Sequence, residues 1–191
     1  MKLFVDSSSK YLYIDLLDNN NNVLKTSRMG KNDHSEMLVT TLEEFLKNNN
    51  LDIKNINEVY VGRGPGSYTG VRISGTFGKT LAFIRNIKLF SFSSLDYLLS
   101  SYLNKDGKYL SMIEAKKNHI YLKAITVKDN NITVDLDETF ASCDILENYT
   151  EYTKITPNEE NGNIINILNN NLYNEEDVFD YTPNYIRSEF N

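Results

Sequence analysis

The amino-acid sequence predicts an α/β protein whose mixed β-sheets are flanked by helices. Three extended runs rich in β-branched and aromatic residues come first, and helical and extended patterns then alternate to about residue 100. This order is typical of a sheet with helices packed against it. The rest of the chain is again rich in strand-forming residues. We therefore expect two lobes, residues 1–103 and a smaller lobe of residues 104–191, which meet at the turn sequence NKDG.

The first strands are predicted to form a meander. They have the sequences LFV, YLYIDLL and VLKTSR, and an asparagine-rich turn separates the last two. Apolar residues between positions 37 and 46 then recur at helical spacing, which predicts the first helix. A short buried strand, VYVG, follows it and leads into a glycine-rich loop.

A second helix is predicted over residues 69 to about 85, with Ile73, Phe77, Leu81 and Ile84 as its core stripe. The strand KLFSF and the helix SLDYLLSSYL complete the first lobe. In the second lobe, KYLSMIEA and HIYLKAITVK predict a hairpin, and ITVDLDETF and YTKIT predict further strands. Residues 146–149 and 164–172 show weaker helical patterns.

Composition and charge exclude several classes of protein. The formal net charge of −6 argues against nucleic-acid binding through a broad basic face, although it leaves room for a local basic patch. A single cysteine, Cys143, excludes an internal disulfide and suits a reducing compartment. No apolar run reaches the ~18 residues of a membrane helix, and a strand at the N-terminus leaves no room for a signal peptide. We therefore expect a cytoplasmic protein that does not enter a membrane.

The glycine-rich loop VGRGPGSYTGVR does not fit either common phosphate-binding motif. Gly62 and Gly64 match the first two glycines of a dinucleotide fingerprint, but the third position is Ser67. The tripeptide GKT at residues 78–80 has Ile73 where a P-loop requires glycine. The loop is therefore expected to be structural, with Ser67 or Thr69 capping the second helix. The residues assigned to this structural role are Gly62, Arg63, Gly64, Pro65, Gly66, Ser67, Thr69 and Gly70.

One face of the second helix carries only small side chains. Val71, Gly75, Gly78 and Ala82 follow one another at spacings of three and four residues. Each interior glycine costs ~1 kcal/mol relative to alanine, so a compensating contact is expected. Close approach by another helix would supply that contact. The other helix belongs either to the same chain, as the first helix does, or to another subunit.

The run GRGPGSYTGVRI closely resembles the signature of the TsaB family, also called YeaZ. LFVDSSS, DHSEML, FSFSSLDYL and PNYIRSEF also resemble family segments, and the resemblance is strong through Leu99 and patchier afterwards. It implies an actin-like, RNase H-like (ASKHA) fold in two lobes. Family members are non-catalytic partners of TsaD, which forms N6-threonylcarbamoyladenosine at position 37 of tRNAs that read codons beginning with A.

The resemblance also implies the partners and the interface. A TsaD homologue would form a heterodimer with this chain, a TsaE homologue would join them as an ATPase, and tRNA would be reached only through the complex. A homodimer of the chain alone is a further expectation. No cofactor is assigned to this chain, because the partner subunits would hold the ATP and the metal. The interface would use the first two helices, with His34, Met37, Leu38, Thr41, Tyr68, Val71, Arg72, Gly75, Gly78, Lys79 and Ala82.

No catalytic residue or metal ligand is assigned to this chain. TsaD-type metal sites use two histidines one helical turn apart, whereas here Leu38 stands one turn after His34. Asp6 is either a vestige of an ancestral site or a strand-end carboxylate with local hydrogen bonds. The alternatives to a scaffold subunit are a metal-dependent glycoprotease-like hydrolase, an actin-like small-molecule kinase and an interaction domain for an unrelated partner. Arg63 and Arg72 would either reach a partner carboxylate or brace the loop.

Overall fold

The computed structural model describes residues 1–20, 22–30 and 33–186. Residues 187–190, which end the PNYIRSEF segment, lie outside the described residues. Within them the strands are β1 (Lys2–Asp6), β2 (Tyr11–Leu17), β3 (Val23–Met29), β4 (Glu58–Gly62), β5 (Lys88–Phe92), β6 (Gly107–Glu114), β7 (His119–Lys128), β8 (Asn131–Ser142), β9 (Thr153–Ile155) and β10 (Tyr173–Glu176). The helices are α1 (His34–Asn48), α2 (Tyr68–Arg85), α3 (Ser94–Leu99) and α4 (Ile164–Asn169), with short 3₁₀ turns at Ile53–Asn55, Ser100–Tyr102 and Cys143–Tyr149.

A six-stranded mixed sheet, the first sheet, has the strand order β10-β5-β4-β1-β2-β3. The predicted meander is confirmed, because β2 pairs antiparallel with both β1 and β3. Strand β4 pairs parallel with β1 and with β5, as the intervening helices require. The predicted order of strands and helices over the first hundred residues is therefore confirmed.

The two faces of the first sheet differ in the side chains that they bury. Successive residues of a strand point to opposite faces. In β1, Leu3 and Val5 enter an aliphatic core beneath α1 and α2, whereas Phe4 enters an aromatic core on the other side. The β4 residue Tyr60 stacks on Phe4 at 4.2 Å between ring centroids in that aromatic core.

A second, four-stranded sheet has the order β8-β7-β6-β9. Strands β6 and β7 form the predicted hairpin, which turns at Lys117 and Asn118 with positive φ angles of 56° and 59°. The predicted strand in YTKIT is also confirmed, since β9 pairs parallel with β6.

The predicted lobe of residues 104–191 is wrong for the C-terminal part of the chain, which returns to the first sheet. Strand β10 pairs antiparallel with the edge strand β5, with Tyr173 opposite Phe92. Helix α4 buries Ile164 and Ile167 in the aromatic core of that sheet. The C-terminal segment is stabilised on the first lobe because it buries these two isoleucines and pairs with the open edge of β5.

Candidate docking site

Helix α2 lies against the first sheet through its small-residue face. A Cβ atom placed on Gly78 would lie 2.3 Å from Cγ1 of Val61, and one placed on Gly70 would lie 1.9 Å from the Ser7 carbonyl oxygen. Real Cβ atoms do not approach this closely, so both positions require glycine. The buried Ser74 hydroxyl donates a hydrogen bond to the Gly62 carbonyl oxygen at 3.2 Å. The helix backbone thus sits unusually close to strand β4.

This packing corrects the prediction that the small-residue face meets another chain. Gly78 and Ala82 are buried against the chain's own sheet, and Val71 is buried beside Gly64 of the glycine-rich loop. The open side of Gly75 is filled by Tyr181, whose Cε1 atom would lie 2.8 Å from an added Cβ. Contacts with the sheet and with the C-terminal segment offset the conformational cost of the glycines. The sequence had instead suggested a contact with another helix.

The predicted core stripe of α2 is wrong at its last position. Leu81 is buried, and Ile73 and Phe77 are half-buried, but the side chain of Ile84 is 72% exposed. Because the small residues of α2 pack against the sheet, its large apolar residues point towards the space between α1 and α2.

A groove of about 810 Å³ lies between these two helices. Its walls include the exposed side chains of Val39, Ile84 and Tyr68, which are 61%, 72% and 59% exposed. Arg72 and Arg85 are the charged residues of the lining. The full lining is Ser35, Leu38, Val39, Ile53, Tyr68, Thr69, Arg72, Ile73, Thr76, Phe77, Thr80, Leu81, Ile84 and Arg85.

The other predicted interface residues fall into different environments. Leu38 is buried and lies at the floor of the groove, and Met37 and Thr41 are half-buried. His34 is buried, and its Nε2 lies 3.1 Å from the Ser9 carbonyl oxygen. Lys79 approaches the C-terminal segment instead, with Nζ 3.4 Å from the Tyr181 carbonyl oxygen.

The glycine-rich loop is tied to its surroundings by backbone hydrogen bonds. The Ser67 N–H donates to the Ser8 carbonyl oxygen at 2.7 Å, and the Asn184 N–H donates to the Arg63 carbonyl oxygen at 2.8 Å. The Ser67 hydroxyl oxygen caps α2 by accepting from the Gly70 N–H at 3.3 Å. These bonds place the first turn of α2 beside strand β1 and the C-terminal segment.

Two ionisable side chains, Arg72 and Asp6, flank the loop in different ways. Arg72 braces the surface, because its guanidinium lies 4.2 Å from the centre of the Tyr68 ring and its Nε donates to the Tyr185 hydroxyl at 3.0 Å. Asp6 is buried and accepts a hydrogen bond from the Ser8 N–H at 2.8 Å. Burial raises the pKa of Asp6, and the hydrogen bond from Ser8 partly offsets that rise.

A polar cleft of about 540 Å³ separates the glycine loop from strand β6. Ser8, Ser9, Lys10, His34 and Glu114 are among the residues that line it. Within the described ranges no three or more histidine, cysteine, aspartate or glutamate side chains are grouped as metal ligands. None of the helices in those ranges is long and apolar enough to cross a membrane.

Two mixed sheets with flanking helices give the chain an α/β fold that is consistent with the expected two-lobed, actin-like (ASKHA) architecture. The family model TsaD, described as tRNA N6-adenosine threonylcarbamoyltransferase, matches residues 27–176. With that match and the relatives described next, the chain belongs to the TsaB (YeaZ) family and carries a TsaD-type domain.

Curated relatives carry the name tRNA threonylcarbamoyladenosine biosynthesis protein TsaB. The one from Bacillus subtilis (strain 168) is 30% identical over 119 residues, which cover 62% of this chain and 52% of the relative. The one from Escherichia coli (strain K12) is 26% identical over 102 residues, which cover 52% of this chain and 44% of the relative. The chain thus spans about half the length of the curated relatives that it matches.

Solved structures show the same fold. A crystal structure from Pseudomonas aeruginosa, described as an uncharacterized protein with similarity to peptidase YEAZ, superposes with a TM-score of 0.78. The superposition covers 97% of this chain and 99% of that one at 16% identity. A structure named YeaZ from the same organism superposes with a TM-score of 0.65 at 20% identity and covers 73% of this chain and 66% of that one.

Proposed function

We propose that the chain is a non-catalytic subunit that binds a TsaD homologue and supports N6-threonylcarbamoyladenosine formation at position 37 of tRNAs reading codons that begin with A. The names of the curated relatives support a role in tRNA threonylcarbamoyladenosine biosynthesis. The groove between α1 and α2 is the observation that carries the docking role. ATP and metal would be held by the TsaD and TsaE partners, and the complex would work in the cytoplasm.

The chemistry of the groove suits a partner helix. Large exposed apolar patches on folded proteins mark interaction sites, and an amphipathic helix presents apolar side chains at spacings of three and four residues. Val39 and Ile84 stand on opposite walls of the groove. Arg85 closes one end, where its Nη2 donates to the Lys54 carbonyl oxygen at 3.0 Å. Arg72 and Arg85 at the rim favour a partner helix with acidic residues at its edges.

A non-catalytic role is consistent with the position of His34. Its Nε2 is occupied by the Ser9 carbonyl oxygen, and Leu38 rather than a second histidine lies one turn later. The two histidines of a chelating pair would need to face one ion. A homodimer would use the same apolar groove in the absence of the partner, so the two assemblies would compete.

The test mixes the purified chain with the TsaD homologue of its own organism and measures mass by light scattering. We expect a heterodimer, and we expect Val39→Glu to weaken it about 30-fold or more, since buried hot-spot contacts contribute about 2 kcal/mol or more. Val134→Glu is the matched control, because Val134 is also exposed, at 52%, but lies on β8 away from the groove. Absence of a heterodimer, or equal weakening by both variants, would overturn the proposal.

A further inference from the structure

A line of five aromatic rings, here called the aromatic strip, crosses the surface from α2 to the second sheet. The rings of Tyr68 and Tyr185 lie 5.3 Å apart between centroids. Those of Tyr121 and Phe140 lie 5.2 Å apart, and His119 stacks on Phe140 at 4.9 Å with an interplanar angle of 8°. Tyr121 joins the two groups, because it lines one cavity of about 290 Å³ together with Tyr68 and Tyr185.

Cationic side chains accompany the strip at both ends. Arg72 lies over the Tyr68 ring at one end. Lys116 and Lys117 are exposed at the β6–β7 turn, next to His119, and neither forms an ion pair within the described part of the chain. This local positive charge stands out on a chain whose formal net charge is −6.

Carboxylates also lie near the strip. Glu138 already accepts a hydrogen bond from the Asn184 side-chain amide at 2.7 Å, which reduces its availability. Glu114 is exposed on β6, two residues before Lys116, and it offsets part of the charge there. Asp144 is also exposed near this turn, because the Cys143 N–H donates to the Asn118 carbonyl oxygen at 3.0 Å, and it offsets a further part.

We infer that the aromatic strip is a contact surface for unpaired nucleotides of an RNA. Every base presents a π face, so a row of aromatic rings with flanking cations binds single-stranded RNA by stacking and by phosphate neutralisation. The groove has a mostly apolar lining that suits a protein partner, whereas the cavity of the strip has a mixed polar and apolar lining. The strip thus adds a direct RNA contact to a chain expected to reach tRNA only through its complex.

The inference rests on the proposed function in one respect, the position of the groove. Tyr68 and Arg72 line both the groove and the cavity of the strip. A TsaD homologue seated in the groove would therefore lie next to the strip. The strip would bind loop nucleotides of that homologue's RNA substrate.

The test titrates a fluorescein-labelled single-stranded 12-nucleotide RNA with the full chain, alone and mixed with the TsaD homologue, and follows anisotropy at several salt concentrations. We expect Phe140→Leu, which removes an aromatic face but keeps an apolar side chain, to weaken binding about fivefold or more. The double variant Lys116→Ala/Lys117→Ala should also weaken binding. It should lower the slope of log affinity against log salt by about 1.4, or about 0.7 for each lost phosphate contact.

A matched control lies on the opposite face of the second sheet, where Tyr152 packs against a different core cluster from Tyr121. The Lys108 ammonium stands 5.5 Å from the centre of the Tyr152 ring, so Tyr152→Leu and Lys108→Ala remove an aromatic face and a cation outside the strip. These variants should bind the RNA within about twofold of the unmodified protein. The lysine pair is exposed, so its effect does not depend on how Phe140→Leu folds.

The outcomes separate this inference from the proposed function. Undetectable binding of the RNA at low salt, or equal affinity in the strip variants and the unmodified protein, would overturn the inference even if the heterodimer forms. Strip variants that weaken the heterodimer and spare RNA binding would show a protein contact, which also overturns it. RNA binding by the strip without a heterodimer would support the inference and remove the proposed partner.

Discussion

The two faces of α2 contrast sharply. The face that meets the first sheet carries Ser74, Gly78 and Ala82, and all three residues are buried. The face that meets the groove carries Thr80 and Ile84, and both residues are exposed. Large apolar side chains ordinarily lie inside a protein, and small ones are tolerated anywhere. In this helix the distance to the sheet decides which residues are buried.

Close approach explains why the apolar residues face outwards. With Gly78 against Val61 and Gly70 against the Ser7 carbonyl, no room remains at these two positions for a side chain. The helix gains packing of its own backbone against the strands, which dispersion favours at these short separations. Of its large apolar stripe, Ile84 is left exposed on the wall of the groove. Stability and the proposed docking role are therefore assigned to opposite faces.

The largest expected effect is that of Gly78→Leu. The added side chain would meet Val61 at its first carbon, so the helix must move away from the sheet, and we expect a loss of about 3 kcal/mol or more in the free energy of unfolding. Urea denaturation of the isolated chain measures this loss. Thr80→Leu adds an apolar side chain to the exposed face of the same helix and should change stability by less than about 0.5 kcal/mol. An unchanged midpoint for Gly78→Leu would show that the small-residue face is free.

The sequence predicted the elements of this helix better than its orientation. The bounds of α2, the meander and the β6–β7 hairpin follow from local patterns, and the structure confirms them. In α2 the large apolar residues and the small residues each recur at helical spacing and form two separate stripes. Periodicity alone does not say which of the two stripes faces the sheet. Choosing between them requires the position of Val61, which belongs to another element.

The C-terminal segment was unpredictable for a related reason. The sequence YNEE of β10 has little strand character, and it forms because the edge of β5 is open beside it. Tyr181 lies more than a hundred residues after Gly75 in the chain, and its ring fills the space beside that glycine. In the candidate site, Tyr68 and Arg72 were expected from the family resemblance, but Val39 and Ile84 were missed. A pattern-based signal existed for Val39, an apolar residue outside the buried stripe of α1, but not for Ile84, which fitted the predicted core stripe of α2.

The second prediction concerns the opposite face of the first sheet, where an ionisable group is buried. Asp15 on β2 is 1% exposed and accepts a hydrogen bond from the Tyr97 hydroxyl at 2.7 Å. Burial raises the pKa of Asp15 from 3.8 to about 7, and Lys25 and Tyr97 counter only part of that rise. Folding therefore binds a proton between these pH values. The stabilising effect of that proton is fully present below about pH 4 and is lost as the pH rises towards 7.

Asp15→Asn should remove this dependence. Relative to the unmodified protein, the variant should gain stability on the order of a few kcal/mol between pH 4 and pH 8, because an amide has no charge to desolvate. Urea denaturation at a series of pH values measures the difference. Glu44→Gln on the exposed face of α1 supplies the control for a neutralised surface carboxyl. A constant difference between Asp15→Asn and the unmodified protein at every pH would contradict the prediction.

A smaller effect is expected from Tyr181→Phe. The ring fills the notch beside Gly75, but its buried hydroxyl has no hydrogen-bond partner among the described residues. Removing the hydroxyl keeps the packing and relieves an unsatisfied polar group, so we expect stability to stay equal or rise by up to about 1 kcal/mol. Thermal unfolding measures it, and Tyr13→Phe is the contrasting variant. The Tyr13 hydroxyl donates to the Asn158 carbonyl oxygen at 2.8 Å, so its loss should cost about 1 kcal/mol. A loss for Tyr181→Phe as large as that for Tyr13→Phe would reveal a missing partner.

The smallest effect on stability is expected from Ile84→Ser, which tests the outer face of α2 directly. Truncation of a core isoleucine typically lowers the free energy of unfolding by about 2 kcal/mol or more. Ile84, however, is 72% exposed, so most of its surface is in water both before and after folding. We expect a change within about 0.5 kcal/mol in urea denaturation. The same variant should lower the affinity for the TsaD homologue, because the lost surface belongs to the groove. A cost near that of a core residue would mean that the stripe of Ile73, Phe77, Leu81 and Ile84 faces the interior after all, and the division of stability and docking between the two faces would then be wrong.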